Sequence, residues 1–136
     1  MPDQVDQGEN MKLKTHHYVI ILLMLVTAVL HLAAAFDRIL FPDGVPDPLF
    51  LLNGLGYLGL LGAFFLPIPF FQQRHKLVWQ VLFGYVILTI VAWLVIWVGI
   101  NVIGQGVSFI SRDSIYGVPA KIVEVILLFL LWKDRP

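Results

Sequence analysis

Two ionisable side chains sit within apolar sequence: His31, inside residues 18–36, and Glu124, inside residues 114–132. Ionisable groups in such surroundings are expensive and mark functional candidates. Lys121 lies three positions before Glu124, so on a helix the two share a face. At a rise of about 1.5 Å per residue, His31 lies roughly 8 Å inside the end of its run, and Glu124 roughly 9–15 Å inside the start of its own. Helices running in opposite directions would bring the two to one level, where an imidazole and a carboxylate can exchange a proton near neutral pH. Further polar groups fall in the same layer. Asn53 and Tyr57 are one turn apart, Asn101 ends a stripe with Trp93 and Trp97, and Arg38 lies two turns beyond His31. The opposite half offers chiefly Gln80 and Thr89.

The same residues have a structural reading. Buried polar pairs fix helix register without binding anything, and His31 with Glu124, or Asn53 with Asn101, would do so. Other chemistries fit less well. No cofactor is predicted; a single-His haem at His31 is the arrangement left open, since His16, His17 and His75 all lie at the far boundary and supply no second axial ligand. Catalytic zinc takes three protein ligands, and His31 with Glu124 falls short. Asp37, Asp43 and Asp47 match no EF-hand spacing. Ser108, Ser111 and Ser114 lack the context of a catalytic nucleophile. No Cys is present, which excludes disulfides, thiolate metal sites and thiol redox chemistry. No catalytic residues are assigned, and an enzyme is the less favoured class.

The elements that must hold these groups are membrane helices. The chain has 136 residues, 59% hydrophobic and 13% charged. Soluble domains average about 45–50% and about 25%, and so short a soluble fold could not hide the excess apolar surface. Lys and Arg balance Asp and Glu at nine each, which argues against a nucleic-acid partner. Residues 1–17 read as a polar and basic tail, residues 18–132 as the membrane domain, and residues 133–136 as a short C-terminal tail. The helices fall at about 18–36, 49–66, 77–104 and 114–132; the first, second and fourth are near the roughly 20 residues a bilayer requires, and the longer third would span with tilt or extend its ends into the interface. A cleaved signal peptide is the rival reading of the first, but its apolar run exceeds the usual h-region. Asp47 followed by Pro48 marks the second start, as cap and first helical residue. Pro67 and Pro69 mark its end. Pro119 should kink or open the first turns of the fourth helix.

Short connections favour an up-down-up-down four-helix transmembrane bundle. The N-terminus, the turn before residue 77 and the C-terminus then share one side and carry Lys12, Lys14, Arg74, Lys76, Lys133 and Arg135. That excess of basic residues sets both termini in the cytoplasm. Within the second helix, the stretch 53–62 contains a GxGxxG match, but no strand precedes it and the nucleotide reading fails its context. Gly56, Gly59 and Gly62 instead predict a track for close helix packing.

The expected protein is a small multi-pass protein of the cell membrane. It is either a non-catalytic accessory subunit or a binder of a small lipophilic or ionic ligand at the outer polar layer. The alternative is a proton-linked transporter, or a membrane redox, quinone or haem protein, using His31 and Glu124. The bilayer is the expected neighbour in either case, with a larger membrane complex or a homo-oligomer as the alternatives for a protein partner.

Overall fold

The computed structural model describes residues 13–136; most of the expected N-terminal tail lies outside them. Among the described residues the regular structure is entirely helical. Helix α1 spans Thr15–Ala35, α2 Pro48–Phe65, the single turn α3 Pro69–Gln72, α4 His75–Trp93 and α5 Arg112–Lys133. Beyond Trp93, α4 continues without a break as a π-helix over Leu94–Gly104. Among the described residues four stretches are long and apolar enough to cross a membrane: Thr15–Ala35, Pro48–Phe65, His75–Gly104 and Ser114–Lys133.

Local chemistry sets the ends. Asp47 Oδ1 accepts from the amides of Leu49 and Phe50 at 2.9 and 3.0 Å, with Pro48 in the first turn. These are donors that a helix start otherwise leaves unpaired. Leu66 turns extended directly before Pro67, as proline requires of its predecessor. The expected basic turn over 70–76 is partly helical: Pro69 opens the short α3. Residues 15–17, read as tail, form the first turn of α1, where His17 Nδ1 accepts the Lys14 amide at 3.0 Å. Helix α5 also begins earlier than its apolar run, at Arg112. The Ser114 hydroxyl accepts from the Ser111 amide and donates to the Ser111 carbonyl. Pro119 lies inside α5 without ending it.

Helix α1 packs along both α2 and α5, and α4 completes the group by packing on α5 and α2. Ile20, Met24, Ala28, Tyr57, Leu82, Val86, Leu127 and Leu131 form the fully buried centre. The close approach of α2 to α1 is at Gly54. A Cβ there would fall 2.7 Å from Leu32 Cγ and 3.1 Å from the Ala28 carbonyl oxygen. Of the expected glycine track, only Gly56 meets another helix closely. A Cβ on Gly59 would meet nothing within 4 Å, and one on Gly62 only its own helix's Leu66. The reason is rotational. At about 100° per residue, Gly59 points roughly 200° away from the buried Tyr57, whereas Gly54 shares the Tyr57 face at i, i+3 spacing. Gly56 abuts the Tyr85 hydroxyl of α4.

Candidate functional site

Glu124 is fully buried and has three neighbours. Its Oε2 accepts from Lys121 Nζ at 2.5 Å, within α5. Its Oε1 accepts from the Thr27 hydroxyl of α1 at 3.1 Å and lies 3.7 Å from His31 Nε2. The His31 tautomer follows from its other nitrogen. Nδ1 lies 2.7 Å from the Thr27 carbonyl oxygen, which can only accept, so Nδ1 carries the hydrogen. In the neutral ring Nε2 therefore turns a lone pair toward Glu124. Two acceptors face each other, and a proton taken up by the ring would convert that contact into an ion pair.

The neighbouring groups are hydrogen-bonded among themselves. The Tyr57 ring stands 5.9 Å from that of His31. Thr89 gives its hydroxyl hydrogen to the Val86 carbonyl at 2.9 Å, so in the 3.0 Å contact between Tyr57 and Thr89 it is Tyr57 that donates. The Tyr85 hydroxyl donates to Asn53 Oδ1 at 2.8 Å. Asn53 is thus paired across to α4 through Tyr85 rather than through Asn101.

A cavity of about 600 Å³ opens between α2 and the α4–π segment. His31, Asn53, Tyr85, Thr89, Trp97 and Asn101 supply its polar wall. Leu49, Leu52, Leu88 and Ile96 also line it and are exposed, so it reaches the surface through an apolar rim. Its size falls within the range of small-molecule sites, about 300–1,000 Å³. The structure therefore brings His31, Lys121 and Glu124 into one cluster and Asn53 and Asn101 onto one cavity wall, with Tyr57 buried beside them. Arg38 is exposed and joins neither.

Its neighbour Asp37 holds a second polar group together. Asp37 Oδ2 accepts from the Tyr116 hydroxyl at 2.5 Å and from Arg112 Nε and Nη2 at 3.1 and 2.9 Å, while Oδ1 accepts from the Ile39 and Leu40 amides. The Tyr116 hydrogen bond above all, aided by those amides and Arg112 and opposed by desolvation, holds the Asp37 carboxyl below the usual carboxylate range. At the other ends of the same two helices, Asp134 takes His16 Nε2 at 2.6 Å and His17 Nε2 at 3.1 Å. These three residues lie close enough to hold a metal ion. However, His17 Nδ1 accepts the Lys14 amide, so the neutral ring's hydrogen sits on Nε2 and is directed at Asp134 as a donor. That arrangement is a hydrogen-bonded clasp between the start of α1 and the end of α5.

Several of these participants escaped the sequence reading. Thr27 had a signal, standing one turn before His31 at i, i+4 spacing. Tyr85 and Tyr116 had none beyond residue type.

Among the described residues, fold and site together define a small all-helical protein with four helices long and apolar enough to span a membrane, and a buried Lys–Glu–His cluster beside an apolar-rimmed cavity. The chain belongs to the family of unknown function DUF7475, whose model matches residues 6–130. No curated protein and no solved structure matches it.

Proposed function

We propose that this is a multi-pass protein of the cell membrane, an up-down-up-down bundle with both termini cytoplasmic, that binds a small lipophilic ligand and has no catalytic cycle of its own. The observation that carries the reading is the cavity between α2 and the α4–π segment, apolar at its rim and polar at its wall. Concave sites of this volume with a few convergent polar groups are the usual form of a small-molecule site. The orientation is supported by Lys14, Arg74, Lys76, Lys133 and Arg135 falling on one side of the bundle.

The test is purification in mild detergent followed by mass spectrometry of the extracted small molecules. Wild-type protein is expected to retain a lipophile beyond the bulk lipids. Ala92 lines the cavity, and an Ala92→Phe variant, which fills it, should lose that molecule while keeping its unfolding temperature. Identical extracts from the two proteins would overturn the reading.

A proton-linked role for the cluster is the second reading, favoured by one observation: His31 lines the cavity and also faces the fully buried Glu124. The ring would then relay a proton between a cavity-bound molecule and that carboxylate. Loss of proton coupling in His31→Gln, with folding retained, is its expected signature; unchanged coupling would remove it.

A further inference from the structure

Past the Gly56–Tyr85 contact, toward the turn that joins them, α2 and α4 open a second groove of about 370 Å³. Leu60 and Ala63 of α2, Phe71 of α3, and Leu77 and Val81 of α4 give it apolar walls. Arg74 is the one charged side chain that lines it. Leu77 and Val81 are exposed, so the groove opens at the surface of the bundle. From Arg74 to Val81 it runs about 10 Å along α4, at about 1.5 Å per residue. Arg74 immediately precedes the apolar span His75–Gly104. In a bilayer the guanidinium then stands at headgroup level, with the groove among the acyl chains.

The charge at this mouth is unanswered from within the protein. No Asp or Glu occurs between Asp47 and Asp113. Among the described residues the ion pairs are those of His16, His17, His31, Arg112 and Lys121, and Arg74 is in none of them. Its guanidinium instead stands 4.2 Å from the centre of the Phe70 ring. An aromatic face holds a cation in place without cancelling its charge. Lys76, exposed two positions on, adds a second positive charge. Lys133 and Arg135 also stand over rings, those of Phe129 and Trp132, but neither lines this groove.

An apolar slot with an uncompensated guanidinium at its headgroup end selects its occupant on two counts. An acyl chain fills the slot, and a phosphate takes the paired donors of the guanidinium. A zwitterionic headgroup would bring an ammonium toward Arg74 and Lys76, whereas a net-anionic one brings none. Free phosphate would leave the slot empty.

We infer that this groove binds one net-anionic phospholipid, its phosphate on Arg74 and an acyl chain between Ala63 and Val81. Basic pockets between transmembrane helices are a recognised form of such sites. The inference rests on the membrane setting proposed above and not on the cavity at the other end of α2.

The test is native mass spectrometry of the full chain in detergent, titrated with dioleoyl phosphatidylglycerol or dioleoyl phosphatidylcholine, which differ only in the headgroup. Wild-type protein is expected to bind the phosphatidylglycerol about tenfold more tightly, the worth of one charge-assisted hydrogen-bonded contact. Arg74→Gln should erase that preference by weakening phosphatidylglycerol alone. Arg135→Gln removes a charge from the same end of the bundle, outside the groove, and should keep the preference. Ala63→Phe fills the slot and should weaken both lipids. Equal wild-type affinity for the two lipids, equal effects of Arg74→Gln and Arg135→Gln, or undiminished phosphatidylglycerol binding by Ala63→Phe would each overturn the inference. Displacement of the lipid by excess inorganic phosphate would also overturn it, by assigning Arg74 to a free anion. The wild-type preference is measured without any variant, so a poorly folding variant does not shelter the inference. In all these cases the cavity reading stands, since it is judged on Ala92→Phe. A wild-type chain that stayed monodisperse without detergent would remove the membrane setting, and both readings with it.

Discussion

The Lys121–Glu124 pair is the most consequential contact at the scale of single residues, because neither partner can be removed alone without leaving the other charge buried. Breaking such a pair costs about 3–5 kcal/mol, whereas replacing both members with apolar residues of similar size is often neutral or stabilising. Glu124→Gln is therefore expected to lower stability by about that amount, measured by unfolding in detergent. The double change Lys121→Met with Glu124→Leu should recover most or all of the loss. A double variant that is no more stable than Glu124→Gln would show that the cluster's remaining contacts, with Thr27 and His31, outweigh the pair. The grouping of His31, Lys121 and Glu124 was readable from depth arithmetic, since three ionisable residues in apolar runs have few ways to be satisfied. The role of Thr27 was not, because a hydroxyl within a helix often turns back on its own backbone. Arg38 was misjudged in favour of Asp37: both stand at the end of α1, and only the turn after Ala35 decides which side chain faces α5.

At the scale of elements, the helices and their starts were legible and their facing was not. Run length, the Asp47–Pro48 pair and Pro67 carry local information about where a helix begins and ends. Rotation about the helix axis is normally read from an amphipathic stripe, and helices apolar all round have none. Gly56, Gly59 and Gly62 thus looked like one packing track, while Gly54 makes the close contact with α1, Gly56 the one with α4, and Gly59 none. Gly54→Leu should force α1 and α2 apart and markedly lower the yield of folded protein. Gly59→Leu should be tolerated with an unfolding temperature close to wild type, as measured by thermal scanning in detergent. Equal damage from both would mean that Gly59 packs against another copy of the chain or another protein. The π-helix was equally hidden, since residues 94–104 are as apolar as the α-helix before them and contain nothing that excludes ordinary α geometry. It is nevertheless the element that carries Trp97 and Asn101, in keeping with the association of π geometry with functional positions.

Across the whole molecule, α1 and α5 are fastened at both ends, by Asp134 with His16 and His17 at one and by Asp37 with Arg112 and Tyr116 at the other. Neither fastening was visible in the sequence, where these residues read only as loop charges or boundary histidines; they join positions more than 70 apart along the chain. The Asp37 end has a defined pH dependence. Its carboxyl is held below the ordinary value near about 3.9, so the folded state binds fewer protons than the unfolded one through that range. The stabilisation is fully present above about pH 5 and is lost as pH falls through the ordinary carboxylate range toward the lower folded value. Asp37→Asn should therefore unfold at a lower temperature than wild type at about pH 7, and the gap should narrow as the pH is lowered toward about 2. A gap that stays constant with pH would show that Asp37 acts through its shape alone.

The apolar rim of the cavity also decides what concentration means for this protein. Leu49, Leu52, Leu88 and Ile96 line the route into the cavity, and in the proposed membrane setting that route leads from the acyl chains rather than from water. Occupancy then follows the mole fraction of ligand dissolved in the bilayer. An affinity quoted per litre of buffer would drift with the amount of lipid present, while one quoted per lipid would hold constant. A greasy molecule scarce in the surrounding water can still fill such a site, because the membrane has already gathered it.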